Sequence, residues 1–293
     1  MPLWVTVLVV CALLIVIWVR HRKRGHAEAL LDEHARRRTT GGPAASTPVS
    51  RWREANRLFR AGDPEGLRRL EVIAAASPRH RQAVVATWLA ALRGGVSRGL
   101  DPTWRTLVER TLVAHLRPGP GFWPGMALDA DGAILVDLDL SGCRVGEVSF
   151  RGAVFVGDTR LTTMTVTGTA DFTAARFLRH ADFHDTLFAR SATFAFAVFC
   201  GNVSLAGARV TGDAVLSDVK VSGRATLSGA EFSGAADLRR VFFGGRALFT
   251  DAVFGQDASF AGAWFRGRTD VGTAIIAADV DFTGARFGHR VHR

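Results

Sequence analysis

The chain has little of what most catalytic chemistry is built from. Among its 293 residues there are three cysteines, Cys11, Cys143 and Cys200, too few and too far apart for a disulfide framework or a metal motif. Its only lysines are Lys23 and Lys220, so no glycine-rich phosphate loop ends in the lysine that such loops use. No cysteine pairs with a histidine at a catalytic spacing. His180 and His184 would have metal-ligand spacing on a helix, but the repeat described below sets them on different modules, either side of a corner. These absences predict a protein that is not an enzyme, with no cofactor and no metal.

Charge is also lacking where it would matter for nucleic acid. The net charge is +10, but residues 1–128 hold 20 Lys or Arg against 9 Asp or Glu, while residues 129–293 hold 17 against 18. Much of the basic excess, at Arg20 to Arg24 and Arg36 to Arg38, follows a run from Leu3 to Val19 that has no charged side chain. As a helix that run measures about 25 Å, the short end of a membrane span. Trp4 and Trp18 bracket it, and Arg20, Arg22, Lys23 and Arg24 come after it. A cleaved secretory signal carries its positive charge before the apolar run. The order here predicts a single-pass anchor over residues 1–20, N-terminus outside and the body cytoplasmic. The basic segment would favour anionic lipid headgroups, and Cys143 and Cys200 would be structural thiols in a reduced compartment.

Residues 21–50 read as a basic juxtamembrane segment and a flexible linker, the stretch from Thr39 to Ser50 being aperiodic and rich in Gly, Pro, Ser and Thr. Over residues 51–118 the apolar spacing is helical, in Leu67, Leu70 and Ile73, then Val84, Val85, Trp88, Leu89 and Leu92, then Trp104, Leu107, Val108, Leu112 and Leu116. Asp63-Pro64, Ser77-Pro78 and Asp101-Pro102 each place a cap residue before a first-turn proline. Three or four short packed helices are predicted, followed by a connecting elbow over residues 119–132 that contains Phe122-Trp123-Pro124.

From Phe150 to Phe287 an apolar residue recurs at steps of 5 and 6, so the pattern repeats every 11 residues. None of these 26 positions is polar, and 16 of the 20 Phe occupy them, among them Phe172, Phe177, Phe183, Phe188, Phe194, Phe199, Phe249, Phe254, Phe260 and Phe265. Alanine fills the slot two residues earlier at most steps, as in Ala170, Ala181, Ala236 and Ala258. On an α-helix a 5-residue step turns about 140°, which would scatter the two series over separate faces. The recurring glycines Gly157, Gly168, Gly201, Gly212, Gly223, Gly234, Gly245 and Gly267 would each cost a helix about 1 kcal/mol. A short fixed period means stacked units. The glycine-bearing sixth residue is expected to be a turn insertion at a corner with positive φ.

The Ala-x-Phe/Leu-x-x unit, seen in Ala170-Asp171-Phe172-Thr173-Ala174, Ala181-Asp182-Phe183-His184-Asp185 and Ala236-Asp237-Leu238-Arg239-Arg240, resembles the pentapeptide-repeat family. That resemblance implies a mainly β fold, a right-handed quadrilateral β-helix over residues 133–290, with the Phe/Leu and the small residue inside. The extra residue makes the coil 22 residues instead of 20, giving columns such as Phe172, Phe194, Leu216, Leu238, Phe260, Phe282. Six to seven coils would make a rod of roughly 30 Å. The helical stretch, from Leu67-Arg68-Arg69-Leu70 through Ser77-Pro78-Arg79-His80-Arg81 into Leu138-Asp139-Leu140-Ser141-Gly142-Cys143, resembles that of membrane-anchored bacterial members of the family. It, or the Phe122-Trp123-Pro124 elbow after it, is expected to cap the first coil. The last coil is expected to be a dimer contact or to be shielded by the basic tail Gly288 to Arg293, since end-to-end dimers occur in the family.

Stacking by 22 leaves Ser259 between Asp237 and Asp281, and Thr193 and Val215 between Asp171 and Asp237. No carboxylate pair forms there for acid and base work, and Asp182 and Asp270 read as solvated in the same way. One outward column differs: Arg176, Val198, Lys220, Phe242, Trp264, Arg286. An exposed Phe242–Trp264 pair between Lys220 and Arg286 has the composition of an interaction hot spot. The resulting expectation is a non-catalytic, membrane-tethered scaffold for protein–protein interaction or self-association. The family resemblance also implies a DNA-mimic reading, directed at a topoisomerase, but a near-neutral rod lacks the charge to replace phosphates. Non-specific binding of nucleic acid or anionic lipid by the basic N-terminal half is a third reading, with no specific nucleic-acid partner.

Overall fold

The computed structural model describes residues 47–94 and 101–288. The expected anchor, with Trp4, Trp18, Arg20, Arg22, Lys23 and Arg24, lies outside the described residues, as do the juxtamembrane segment, most of the linker and the last five residues of the tail. Among the described residues, no helix is long and apolar enough to cross a membrane.

Four helices come first: α1 (Pro48–Arg60), α2 (Pro64–Ala76), α3 (Arg81–Gly94) and α4 (Pro102–Leu116), with a 3-10 turn at Pro78–His80. Two of the three Asp/Ser-Pro signals act as caps. Asp63 accepts a hydrogen bond from the Glu65 N–H and Asp101 from the Thr103 N–H, each at 2.9 Å, satisfying a donor the first turn leaves free. Ser77 makes no side-chain cap bond; it closes α2 instead, its N–H donating to the Ile73 carbonyl at 3.2 Å. Phe59, Leu70, Val85, Trp88, Leu92 and Leu112 form the buried seam of this segment. Outside it, His115 stacks on Trp123 at 3.8 Å while its ring nitrogens face the Glu71 carboxylate and the Gly121 carbonyl, each at 2.9 Å. That joint fastens the elbow to α4.

From Leu128 to Phe287 the chain winds as a β-helix of about seven turns, built of strands two or three residues long in four parallel sheets. In chain order each turn visits a first face (Leu128–Asp129 through Val280–Asp281), a second (Ile134–Val136 through Arg286–Phe287), a third (Thr159–Arg160 through Thr269–Asp270) and a fourth (Arg144–Val145 through Ile275–Ile276). The winding begins inside the stretch read as an elbow. Its period also widens at the start. Leu128 pairs with Val148 and Ile134 with Val154, 20 apart; Arg144 pairs with Thr165, 21 apart; from Val148↔Ala170 onward the step is 22. One residue enters between Val156 and Thr159 and another between Val166 and Ala170, the corners that carry Gly157 and Gly168.

The inserted glycines are needed for a different reason from the one expected. Apart from Gly157, they do not have positive φ. At Gly201, Gly212, Gly223 and Gly234 an added Cβ would come within 2.5–2.6 Å of backbone in the coil beneath, so the corner stacks backbone on backbone and any side chain would part the coils. Left-handed residues sit at the other corners, two after the first apolar series: Ala174, Asp185, Phe196, Gly207, Asp218, Gly229 and Arg240 all have φ between 54° and 67°. There the N–H of the residue after each donates back across the turn, as Ala175 does to Phe172 at 3.0 Å, the closure of a type II turn.

All ten phenylalanines of the predicted ladder are buried, none more than 4 % exposed. Rings 22 apart stack nearly parallel, Phe172 on Phe194 at 4.8 Å and Phe177 on Phe199 at 4.6 Å, and neighbouring series meet edge to face, as Phe172 does Phe183 at 5.6 Å.

The helices close the first coil with polar side chains as well as apolar ones. The Gln82 amide both donates to the Ala127 carbonyl and accepts from the Ala127 N–H, each at 2.9 Å, pairing with the edge as a strand would. Arg105 donates to the Val136 carbonyl at 2.9 Å, Arg117 to the Ser141 carbonyl at 2.8 Å, and Arg93 forms an ion pair with Asp129 at 2.8 Å. An exposed edge that would otherwise seek another chain is thereby occupied.

Candidate interaction surface

The outward residues of the second face stand in one column, since Arg176 pairs with Val198, Val198 with Lys220, Lys220 with Phe242, Phe242 with Trp264 and Trp264 with Arg286. Each pleat turns the residue before the core outward. The Phe242 and Trp264 rings meet edge-on, centroids 5.1 Å apart at 64°. Trp264 is 47 % exposed and Phe242 half-buried beside it. A surface ring pair also stabilises adjacent strands, but the Trp264 ring leaves much of its face to solvent.

Cations extend this column sideways. At the corner between the second and third faces Arg224, Arg246 and Arg268 stand above one another, with Arg266 alongside. Arg246 reaches Asp270 at 3.4 Å, and among the described residues no carboxylate lies within ion-pair distance of Lys220, Arg224, Arg266, Arg268 or Arg286. On the opposite flank, Arg240 pairs with Asp218 at 2.6 Å and Arg239 with Asp237 at 2.8 Å. Those bonds hold both carboxyls below the usual carboxylate range.

The aspartates before core residues build the corners. Asp171, Asp182, Asp237 and Asp281 each accept from the N–H two residues on, at 2.8–3.0 Å, bending the chain into its turn. Ser259 stands between Asp237 and Asp281 in the register, and Asp270 faces Arg246. His180 and His184 do not converge on a site: His180 Nδ1 accepts from the Asn202 N–H at 3.1 Å, while His184 lies 3.1 Å from Asp185. His180 belongs to a ladder that sequence reading missed. The Asp158 carboxylate, His180 ring and Asn202 amide each take the backbone N–H one coil above, at 3.3, 3.1 and 2.9 Å. The signal was available three residues after the second apolar series, where polar residues recur every 22.

One groove joins α4 to the first coil, lined by Glu109, Arg110, Val113, Arg117 and Asp139. Burial raises the Glu109 carboxyl. Asp139, although burial opposes it, is held low by bonds from Ser141 and by nearby Arg117 and Arg160. Each carboxylate has a structural task here, Glu109 accepting from the Asp139 N–H at 3.4 Å and Asp139 from the Ser141 N–H at 2.9 Å. Cys143 is buried and its thiol is pushed up to about 12 by that burial, whereas Cys200 is exposed.

Residues 227–275, which include Phe242 and Trp264, match the family model described as pentapeptide repeats (9 copies). No curated protein matches the chain.

Proposed function

We propose that this protein is a non-catalytic, membrane-tethered scaffold facing the cytoplasm, whose second face binds another protein or a further copy of itself. The observation that carries this is the Phe242–Trp264 pair, exposed on a rigid parallel stack and set between Lys220 and Arg286. A large, half-desolvated aromatic pair with a cationic rim is what interaction hot spots are made of. The tether rests on the uncharged run from Leu3 to Val19 and the basic residues that follow it. The DNA-mimic reading is disfavoured by the near balance of charge after residue 129 and by the cations on the second face. In-cell crosslinking of the full chain, compared with the double variant Phe242→Ser and Trp264→Ser, tests the surface. Both side chains point outward, so folding should survive and capture should be lost; unchanged capture removes the reading.

The last coil, uncovered among the described residues, favours a second mode of association. Ile276, Phe282 and Phe287 point inward yet are 36 %, 41 % and 43 % exposed, as an end-to-end dimer contact would require. Light scattering of the purified full chain distinguishes the two, because Phe287→Asp should abolish an end-to-end dimer and leave side-face contacts in place.

A further inference from the structure

The near neutrality of the solenoid conceals a segregation of charge between opposite sides. Over residues 209–288, the half made by the second and third faces and the corner between them carries six Lys or Arg against one acid, Asp270. The half made by the fourth and first faces, with the corners leading into the fourth and out of the first, carries eight acids against three Arg. Two of those three, Arg239 and Arg240, are already paired within that half. Among the described residues no basic side chain lies within ion-pair distance of Asp213, Asp251, Asp257, Asp279 or Asp281.

The apolar residues are segregated in the same way. The fourth face lies across the rod from the second, because the chain visits the four faces in turn. Its outward column runs Glu231, Val253, Ile275, and Ile275 is 58 % exposed. Val253 and Ile275 follow Phe242 and Trp264 by half a coil each, so the aliphatic pair sits at the level of the aromatic pair, on the other side. Asp251 flanks it at one corner, and Asp213, Asp257 and Asp279 at the other.

We infer that the occupant of the Phe242–Trp264 face is the fourth face of a second copy of this chain running antiparallel to the first, the aromatic pair lying on Val253 and Ile275 and the corner after the second face, with Arg224 and Arg268, meeting the corner after the fourth, with Asp257 and Asp279. This rests on the reading of the second face as a protein-binding surface and names its partner. Since the two contacting faces are different, each copy keeps one of each free, and the contact propagates as a row rather than closing as a dimer. Exposed charge pairs are screened by salt, so the row weakens as ionic strength rises. A side face only four coils tall is well below the roughly 800 Å² per partner of a stable interface, so the row forms where copies are concentrated by a common tether.

The test uses the full chain in the cells that express it, with a photo-crosslinking residue in place of Phe242. The expected product is a ladder of self-crosslinked species, with the crosslink mapping to the segment from Val253 to Asp257 or from Ile275 to Asp279. The charge-reversed variant Arg224→Glu with Arg268→Glu should lower the yield at least tenfold. Co-expression with a differently tagged copy carrying Asp257→Arg and Asp279→Arg should restore crosslinks from the first variant to the second. All four side chains are exposed, and unchanged circular dichroism confirms that the variants fold. Crosslinks only to a different protein overturn the self-pairing and leave the face a binding surface, while no crosslink at all overturns both. Self-crosslinks that map to the last coil, or that ignore the charge reversal, also overturn it.

Discussion

The two ends of the solenoid are built from the same unit and end up in opposite conditions. At the N-terminal end Leu128, Leu135, Leu138 and Leu140 are buried under the helices, and Gln82, Arg105 and Arg117 meet backbone groups of the first coil. At the C-terminal end Phe282 and Phe287 continue the same ring stacks, on Phe260 at 5.0 Å and on Phe265 at 4.8 Å, but their outer faces meet nothing among the described residues. Burial in a solenoid is therefore a property of the next coil as much as of the residue, and a repeat without a neighbour keeps its shape while losing part of its stabilisation.

Substitutions along one column should show the largest difference. Phe177→Ala, stacked on both sides, is expected to cost about 3–5 kcal/mol, and Phe287→Ala in the same face about 1 kcal/mol or less, since a half-exposed ring gains less from burial. Urea unfolding of the purified full chain measures both; equal costs would mean the last coil is covered after all.

The two kinds of corner can be separated next. Gly223→Ala places a Cβ 2.6 Å from the Gly201 carbonyl oxygen and should cost about 3 kcal/mol by forcing coils apart. Gly229→Ala has a φ of +67° and no neighbour nearer than 3.9 Å, so only the left-handed backbone is penalised, by about 1 kcal/mol.

The capped end can be opened directly. Arg105→Met removes the donors to the Val136 and Leu92 carbonyls and is expected to cost about 1–3 kcal/mol. In the unaltered protein an alkylating reagent at mild alkaline pH should modify exposed Cys200 and spare Cys143, whose buried thiol stays protonated. Peptide mapping after Arg105→Met should find Cys143 modified as the first coil frays, and continued protection would mean the cap does not depend on this arginine.

The smallest effect is pH-dependent. Because Glu109 titrates above its ordinary 4.5 in the fold, its contribution is fully present below that value and is lost as pH rises through the raised one. Glu109→Gln keeps an acceptor for the Asp139 N–H, so it should be neutral near pH 4 and stabilising at pH 7 by under about 1 kcal/mol. Thermal melts at the two pH values give the sign, and destabilisation at pH 7 would show that the charge itself holds the edge.

Much of the candidate surface was legible because the 22-residue step converts sequence into neighbours: Phe242 lies beside Trp264 by counting. The side-to-side charge separation was hidden in a sum, since Lys220, Arg224 and Arg268 are interleaved in sequence with Asp213, Asp257 and Asp279. The shorter first coil was legible but went unread: Leu135, Leu140, Val145, Phe150 and Phe155 step by 5 throughout, before the first step of 6 reaches Leu161. The role of the corner glycines escaped because it depends on the coil beneath. A glycine required by a carbonyl one coil away looks, in sequence, like one required by its own φ.

By itself the sequence determined the β-helical architecture, the four-sided 22-residue period, the buried phenylalanine columns and the place of the helical segment before them, because those follow from which side chains must leave water. Only the tertiary structure decided how the helices grip the first coil and that the last coil is uncovered among the described residues. Gln82 and Ala127 are 45 residues apart with no periodicity relating them, and the partner of an edge is chosen by shape and hydrogen-bond geometry, which composition does not encode.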